Sequence, residues 1–355
     1  MRKITTQFWK FLLVLCCFAI STNASAQSEG ASGNSYSELF NMNNPFELDL
    51  IFDVKNFIKN KDTEEYFEAK IAYKTSAGDS VHKNVKIRAR GHVRKKICYI
   101  PPIRIDFDDE DYQVDLFDSF GKVKLVSTCK VASNHEQFLI KEYLSYKIYE
   151  TITDISFKTY YLKINFIDSQ GKKKPFTSYS FILEDIDDLA ERHNAIEVEN
   201  MGLLESQLDR TTMNLFSMYQ YLISNVDWHI PSMHNVKLIK SNDHKKPLPM
   251  PVPYDLDYCG IVNTNYAIPQ PRVPIESLTQ RYWIGNCLTD EEFSTLTAIF
   301  LENKDEIINI FEECESLDKI HRNTAVKFIK QYYNMIEKSE QQAMRTILKD
   351  KDCNQ

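Results

Sequence analysis

The stretch NVDWHIPSMHN (225–235) ends a strongly apolar helical pattern, and the strand patterns VKLIK (236–240) and PVPYDLDYCG (251–260) follow it. Asp227, Asn235 and Asp255 therefore supply two carboxylates and an amide carbonyl at the ends of regular elements. Oxygen ligands of this kind suit Mg²⁺, which usually takes one or two carboxylates together with substrate phosphates. Phosphoryl transfer uses a carboxylate to receive the hydroxyl proton, with an Asn and an Asp to hold the metal. The sequence therefore predicts an Mg²⁺ site for this chemistry.

Upstream of this stretch, apolar and polar residues alternate with the period of β-strands. The predicted strands are 46–54, 66–74, 85–91, 101–107, 122–128, 159–168 and 176–185. One amphipathic helix is predicted among them, at residues 135–153, where Ile140, Tyr143 and Leu144 recur at helical spacing.

Beyond Ile186 the pattern becomes mainly helical, apart from a short hairpin at residues 236–255. Helices are predicted at 208–225, 290–301, 303–314 and about 318–349. This order predicts an α+β fold of two lobes: a β-rich N-terminal lobe with one helix at residues 45–186, and a mainly helical C-terminal lobe at 187–355 that carries the metal-site hairpin.

The N-terminus has the pattern of a processing signal. A basic start, an apolar run at residues 11–20 and an A-x-A sequence at residues 24–26 predict that residues 1–26 are a signal peptide. Residues 27–44, rich in Ser, Asn and Gly, are predicted to be a disordered spacer. No later stretch is apolar for long enough to span a bilayer, so we expect an exported protein in the periplasm or outside the cell.

Charge and cysteine content narrow the function further. The net charge is −7, and removal of the three basic residues in the signal would leave −10, which argues against nucleic acid as a partner. Six cysteines remain without a C-x-x-C pair, so a structural zinc site has little support. We predict a disulfide between Cys98 and Cys129, because each lies beside a predicted strand of the same lobe. The other four are predicted to be small buried apolar residues.

Four stretches resemble the spore-coat CotH kinase family, an atypical branch of the protein-kinase-like proteins. They are VKIRARG (85–91), SYSFILEDIDDLAERH (178–193), NVDWHIPSMHN (225–235) and YDLDYCG (254–260), and the resemblance covers roughly residues 46–260. It implies a two-lobed protein-kinase-like fold with a nucleotide between the lobes.

The resemblance also implies roles for the acids and the amide. Asp227 would orient and deprotonate the acceptor hydroxyl, while Asn235 and Asp255 would hold Mg²⁺. Asp257 is the alternative metal ligand, because YDLDYCG aligns with either carboxylate in that place. From the residues alone, Asp227 could equally cap a turn, and Asp255 with Asp257 could serve a turn or bind calcium.

The nucleotide contacts implied by the resemblance lie in the β-rich half. Lys124 would bind the phosphates of ATP and pair with Glu142 on the predicted helix, and Glu184 would lie at the hinge beside the base. The chain has no G-x-G-x-x-G loop, so Arg88 and Arg90, together with Arg94, are candidates to cover the phosphates. The alternative is that Lys124, Arg88 and Arg90 lie on the solvated faces of their strands.

These features together predict an exported, Mg²⁺-dependent kinase-like enzyme that transfers phosphoryl from a nucleotide to a hydroxyl on a protein or glycan. A non-catalytic, pseudokinase-like scaffold that binds an envelope partner or glycan is the alternative, motivated by the missing glycine loop. A metal-dependent hydrolase that uses the same acids is a third hypothesis.

Overall fold

The computed structural model describes residues 44–75, 77–107, 117, 121–130, 133–349, 351 and 353. The predicted signal peptide and the predicted spacer, except for Asn44, lie outside the described residues. Within them, every helix is too short or too polar to cross a bilayer.

Seven strands near the start of the described chain close into a barrel. They are β1 (Phe46–Phe52), β2 (Phe67–Lys74), β3 (Ser80–Ala89), β4 (Ile103–Asp106), β5 (Lys122–Ser127), β6 (Thr159–Asp168) and β7 (Phe176–Leu183). Their order around the barrel is β1-β2-β3-β4-β5-β7-β6. The β1–β6 pair that closes the barrel is parallel, with Leu50 opposite Phe166, while the other neighbours are antiparallel.

Alternation along these strands sends one set of side chains into the barrel. Leu50, Ile71, Ile87, Leu125 and Phe166 are among the apolar residues of this interior, and each is at most 1% exposed. Because successive residues of a strand face opposite sides, the other set lies on the outer surface of the barrel.

Two short helices interrupt the barrel strands, and one long helix precedes β6. The short helices are α1 (Val54–Lys59) and α2 (Val93–Ile97), and the long one is α3 (Ser133–Ile152). Tyr143 of α3 stacks on Tyr161 of β6, with ring centroids 4.7 Å apart. The long helix therefore covers part of the outer face of the barrel.

Residues beyond β7 form six more helices and a small sheet among the described residues. The helices are α4 (Ile186–Arg192), α5 (Arg210–Leu222), α6 (Asp290–Glu302), α7 (Lys304–Glu312), α8 (Lys319–Ile336) and α9 (Glu340–Ile347). The sheet is antiparallel, in the order β10-β9-β8, and comprises β8 (Ala195–Glu197), β9 (Val236–Ser241) and β10 (Met250–Pro253). Single 3₁₀ turns occur at Glu205–Gln207 and Ile230–Ser232.

The predicted two-lobed protein-kinase-like fold is wrong. The structure is a barrel-containing α+β fold, with a closed seven-stranded mixed barrel and, over the described residues, nine α-helices. The parallel β1–β6 pairing closes a sheet that the predicted fold would leave open. Helix α3 is not part of a separate β-rich lobe either, because Tyr143 and Phe181 share one apolar core with Tyr219 and Tyr332 from the later helices.

The predictions of individual strands and helices are confirmed. Each predicted strand has a counterpart, and β9 and β10 form the predicted hairpin. The helix predicted at about 318–349 is divided into α8 and α9.

The cysteine predictions are confirmed in part. Cys98 and Cys129 form the predicted disulfide, with Cα atoms 4.4 Å apart. Cys287 and Cys353 form a second one, so the prediction that these two are buried apolar residues is wrong. Cys259 and Cys314 are unpaired and buried, as expected.

Candidate functional site

The residues predicted to act as base or metal ligand, Asp227, Asn235, Asp255 and Asp257, line one cavity of about 460 Å³ beside the barrel. Its polar lining comes from four parts of the chain: the end of β3 with α2, helix α3, the loop after α5, and the segment after β10. The charged and amide side chains of the lining are Arg90, His92, Arg94, Glu142, Asp227, His234, Asn235, Asp255, Asp257 and Gln270.

A larger groove, of about 1170 Å³, is lined by residues of β1, β2, β3, β6 and β7 and contains none of these residues. Four of its charged and amide groups pair across strands, through the 2.9 Å contact of Lys163 with Glu47 and the 3.1 Å hydrogen bond from Asn165 to Asp49. The smaller cavity is therefore the candidate site.

The loop that presents Asp227 is built by backbone reversals after α5. Ser224 adopts a left-handed φ of 54°, and the side chain of Asn225 accepts a hydrogen bond of 2.9 Å from the Asp227 amide. His229 and His234 then pair through their backbones at 2.9 and 3.0 Å, which folds the loop back on itself. This turn returns the chain to Asn235 beside Asp227.

Three side chains donate hydrogen bonds to the carboxylate of Asp227. His234 Nε2 lies 2.9 Å from Oδ1, Gln270 Nε2 also donates to Oδ1, and Asn235 Nδ2 lies 3.0 Å from Oδ2. The Asp227 side chain is only 8% exposed, and it lines the cavity. Asp227 is therefore a fixed, buried acceptor rather than a solvated turn residue.

Asn235 and Asp255 share an unusual backbone conformation. Their φ angles are 51° and 54°, in the left-handed region that residues other than Gly seldom adopt and that Asn and Asp tolerate best. A hydrogen bond of 2.8 Å from the Asp255 amide to the Tyr146 hydroxyl holds this turn. Strained backbone of this kind concentrates at functional sites.

Asp257 and Glu142 are joined by a single guanidinium group. Arg94 Nε lies 3.0 Å from Asp257 Oδ2, and Arg94 Nη2 lies 2.5 Å from Glu142 Oε2. The hydroxyl of Tyr266 adds a hydrogen bond of 2.8 Å to Asp257. Burial raises the pKa of Glu142 above its ordinary value, and the Arg94 charge opposes that rise.

Asp255 lies beside Asp257, with which its side chain shares a hydrogen bond. Part of its surface is exposed to the cavity, yet enclosure by the surrounding protein raises its pKa, and repulsion from the Asp257 carboxylate adds to the rise. A bound cation would favour the ionised form of such a group.

The cavity is suited to a divalent cation by its charge and its oxygen donors. Four carboxyl groups line it against two guanidinium groups, so the cavity has a formal excess of negative charge when all four carboxyl groups are ionised. The described residues contain no cluster of three or more His, Cys, Asp and Glu side chains arranged around a metal. Mg²⁺ does not need one, because it uses one or two carboxylates, water and substrate phosphates.

Lys124 lies near the cavity but does not make its predicted contact. Its ammonium is 3.7 Å from Asp185 and lies over the ring of Tyr254, while Glu142 pairs with Arg94 instead. The predicted Lys124–Glu142 ion pair is therefore wrong. Burial lowers the pKa of Lys124 to about 8.

The arginine predictions divide between the cavity and the outer surface of the barrel. Arg90 lines the cavity and donates a hydrogen bond to the hydroxyl of Tyr254. Arg88 instead forms an ion pair of 2.8 Å with Glu64 and lies over the ring of Tyr66, outside the cavity lining. Its predicted phosphate role is therefore not supported, because its guanidinium is occupied elsewhere.

Glu184 is also outside the cavity lining. Its carboxylate accepts hydrogen bonds from Arg192 at 2.9 Å and from the Lys158 amide at 2.8 Å, and its own amide donates to the Lys158 carbonyl at 3.0 Å. The carboxylate and the backbone amide of Glu184 are therefore occupied by contacts within the protein.

Gln270, His234, Tyr254 and Tyr266 were not predicted from the sequence. Tyr254 and His234 are direct neighbours of Asp255 and Asn235, so proximity was an available signal for both. Gln270 lies 43 residues from Asp227 in an irregular segment, and no pattern in the sequence marks it.

Comparison of the sequence with models of known protein families gives no match, and comparison with the curated proteins gives none either.

Proposed function

We propose that this protein is an exported, Mg²⁺-dependent phosphotransferase that moves the γ-phosphoryl group of a nucleotide such as ATP to a hydroxyl on a protein or glycan. The observation that carries the proposal is that Asp227, Asn235 and Asp255 line one cavity together with Arg90 and Arg94. An acid to accept a proton, oxygen donors for Mg²⁺ and guanidinium groups for phosphate oxygens are the parts that this reaction uses.

Asp227 is the residue that receives the proton of the acceptor hydroxyl. It already accepts hydrogen bonds from His234, Asn235 and Gln270, which orient its carboxylate before any substrate arrives. Preorganisation of this kind supplies much of the catalysis in phosphoryl transfer, because the protein does little covalent chemistry in that reaction.

Asn235 and Asp255 would hold Mg²⁺, which when bound neutralises charge on the phosphate oxygens. Asp255 is a better ligand than Asp257, because Arg94 and Tyr266 already contact the Asp257 carboxylate. Arg90 lines the same cavity with a guanidinium group, whose fork geometry suits phosphate oxygens. Arg94 also lines it, but its guanidinium already bridges Glu142 and Asp257.

Incubation of the purified protein with γ-labelled ATP and Mg²⁺ tests the proposal. We expect Asp227→Asn and Asp255→Asn each to lower the rate of transfer by about a hundredfold or more, the range expected for loss of a general base or of charge stabilisation. Asp62→Asn, on the exposed surface, is the matched control and should keep the full rate. Transfer that survives Asp227→Asn at the full rate would refute the assignment.

A non-catalytic scaffold is the second candidate. Arg94 bridges Glu142 and Asp257, and this arrangement favours a cavity kept closed by its own ion pairs. Thermal unfolding separates the two candidates, because a ligand that binds the native state stabilises it by mass action, by about 2.7 kcal/mol at a hundred times its Kd. We expect stabilisation by ATP with Mg²⁺, and the scaffold predicts none.

A further inference from the structure

The segment 264–273, which follows the turn at Asp255, is hydrogen-bonded to the backbone on both sides of Asp227. The guanidinium of Arg272 donates hydrogen bonds to the carbonyls of Val226 and Trp228, at 3.0 and 2.5 Å. Val273 packs with Val226 in a small apolar cluster. The segment is irregular, so these contacts rather than a helix or strand fix its position.

This attachment brings Gln270 onto the proposed base. Its Nε2 donates to Oδ1 of Asp227, and His234 Nε2 donates to the same oxygen at 2.9 Å. Among the described residues, Oδ2 accepts a hydrogen bond only from Asn235, at 3.0 Å. A carboxylate has about four lone-pair sites, two on each oxygen. Both sites on Oδ1 are therefore occupied, and the open site is on Oδ2.

We propose that Gln270 is a positioning residue for Asp227, an inference that rests on the proposed phosphotransferase function. With His234 it immobilises Oδ1, so that the carboxylate cannot rotate and Oδ2 is the oxygen that receives the acceptor proton. Arg272 supports this arrangement through the backbone, since it holds the segment that carries Gln270 against residues 226 and 228. Gln270 itself does not touch the reacting atoms.

Two variants of Gln270 test the positioning role. Gln270→Ala removes the donor, and we expect kcat to fall by about ten- to a hundredfold, with KM for ATP unchanged, because the base loses its fixed orientation. Gln270→Glu places a second carboxylate against Asp227, so we expect the acidic limb of the pH–rate profile to move to higher pH. His234, Tyr258 and Arg272 are the other titratable or charged groups that face this part of Asp227.

Gln170→Glu is the matched control, because it adds the same charge in an exposed turn of the barrel. It should leave kcat, KM and the pH profile unchanged. The direct contact is tested separately by thermal unfolding between pH 4.5 and 8. Gln270→Glu should be destabilised increasingly as the pH rises, because the two carboxyl groups repel when both are ionised and share a proton when they are not. The double variant with Asp227→Asn should lose that dependence.

The outcomes separate the two proposals. If Asp227→Asn abolishes transfer while both Gln270 variants keep the normal kcat and pH profile, the positioning role is wrong and the base assignment stands. If the unaltered protein transfers no phosphoryl group, or Asp227→Asn transfers it at the normal rate, the proposed function fails and the role of Gln270 fails with it. A shifted profile together with the pH-dependent destabilisation supports both.

Discussion

The interior of the barrel and the cavity beside it bury side chains of opposite chemistry. The barrel is filled by apolar residues such as Leu50, Ile87 and Phe166, which are at most 1% exposed. The cavity instead encloses acids that are compensated by a few guanidinium, imidazole and amide groups. Burial of apolar surface stabilises a fold, whereas burial of charge costs free energy unless each charge is paired.

This contrast assigns different tasks to the two regions. The barrel needs only apolar side chains of suitable volume, so its contribution is to stability. The cavity retains Asp255 beside Asp257, and it retains two left-handed backbone turns, although each of these features opposes folding. Such features are typical of sites where stability is given up for activity.

The largest effect on stability is expected from the barrel. Phe166→Ala, at the parallel seam with β1, should lower the free energy of unfolding by about 3–5 kcal/mol, because it removes a buried ring and leaves a cavity. Denaturant unfolding measures the loss, and transfer activity per folded molecule should be unchanged. Ile320→Ala, at a residue that is 76% exposed, is the control and should cost less than about 0.5 kcal/mol. A loss below about 1 kcal/mol at Phe166 would contradict a closed apolar interior.

The next largest effect on stability is expected from loss of the Cys98–Cys129 disulfide, which joins segments beside the cavity. Cys98 directly follows α2, which carries Arg94, and Cys129 lies shortly before α3, which carries Glu142. Replacement of both cysteines by Ala should lower stability by about 3.5 kcal/mol, since the disulfide spans 31 residues. It should also lower transfer, because the Arg94–Glu142 contact loses its support.

The second disulfide is the comparison for that experiment. Cys287 and Cys353 are 66 residues apart, and neither lines the cavity. Replacement of both by Ala should cost a similar free energy of unfolding without a change in transfer per folded molecule. Equal losses of transfer in the two double variants would show that the Cys98–Cys129 disulfide acts on the site only through overall stability.

The same contrast explains which features of the fold could be predicted from the sequence. Every barrel strand was predicted, because alternation is a local property of a strand with one buried face. Closure was not predicted, because it depends on β1 pairing with β6 more than a hundred residues later. Helix α3 was predicted as a helix and misplaced in the architecture for the same reason.

The site was predicted where its residues lie at the ends of neighbouring elements. Asp227, Asn235, Asp255 and Asp257 meet because the β9–β10 hairpin returns the chain to the loop after α5. The prediction of a Lys124–Glu142 ion pair is wrong, because the spacing of two residues in the sequence does not determine which cation contacts an acid. Arg94 contacts Glu142 instead. Gln270 and Tyr266 come from an irregular segment, whose path is set by tertiary contacts alone.

The smallest effect on stability is expected from a substitution at Asp255. It should raise stability at high pH, whereas the substitution in the barrel should lower it. Because the folded protein raises the pKa of Asp255 above its ordinary value of 3.8, the native state binds more protons than the unfolded chain, so this group stabilises less as the pH rises above about 4. Asp255→Asn removes the charge and tolerates the left-handed backbone. We therefore expect the variant to unfold at the same temperature as the unaltered protein at pH 4.5, and about 2 °C higher at pH 8.

Thermal unfolding across that pH range measures the difference, with Asp62→Asn as a control that should show no trend. Saturating Mg²⁺ should reduce the advantage of Asp255→Asn at pH 8, because the cation stabilises only the protein that retains the carboxylate. A variant that is less stable than the unaltered protein at every pH would mean that the Asp255 carboxylate is held by favourable contacts of its own. The Asp255 carboxylate would then give no reason to expect a bound cation in the cavity.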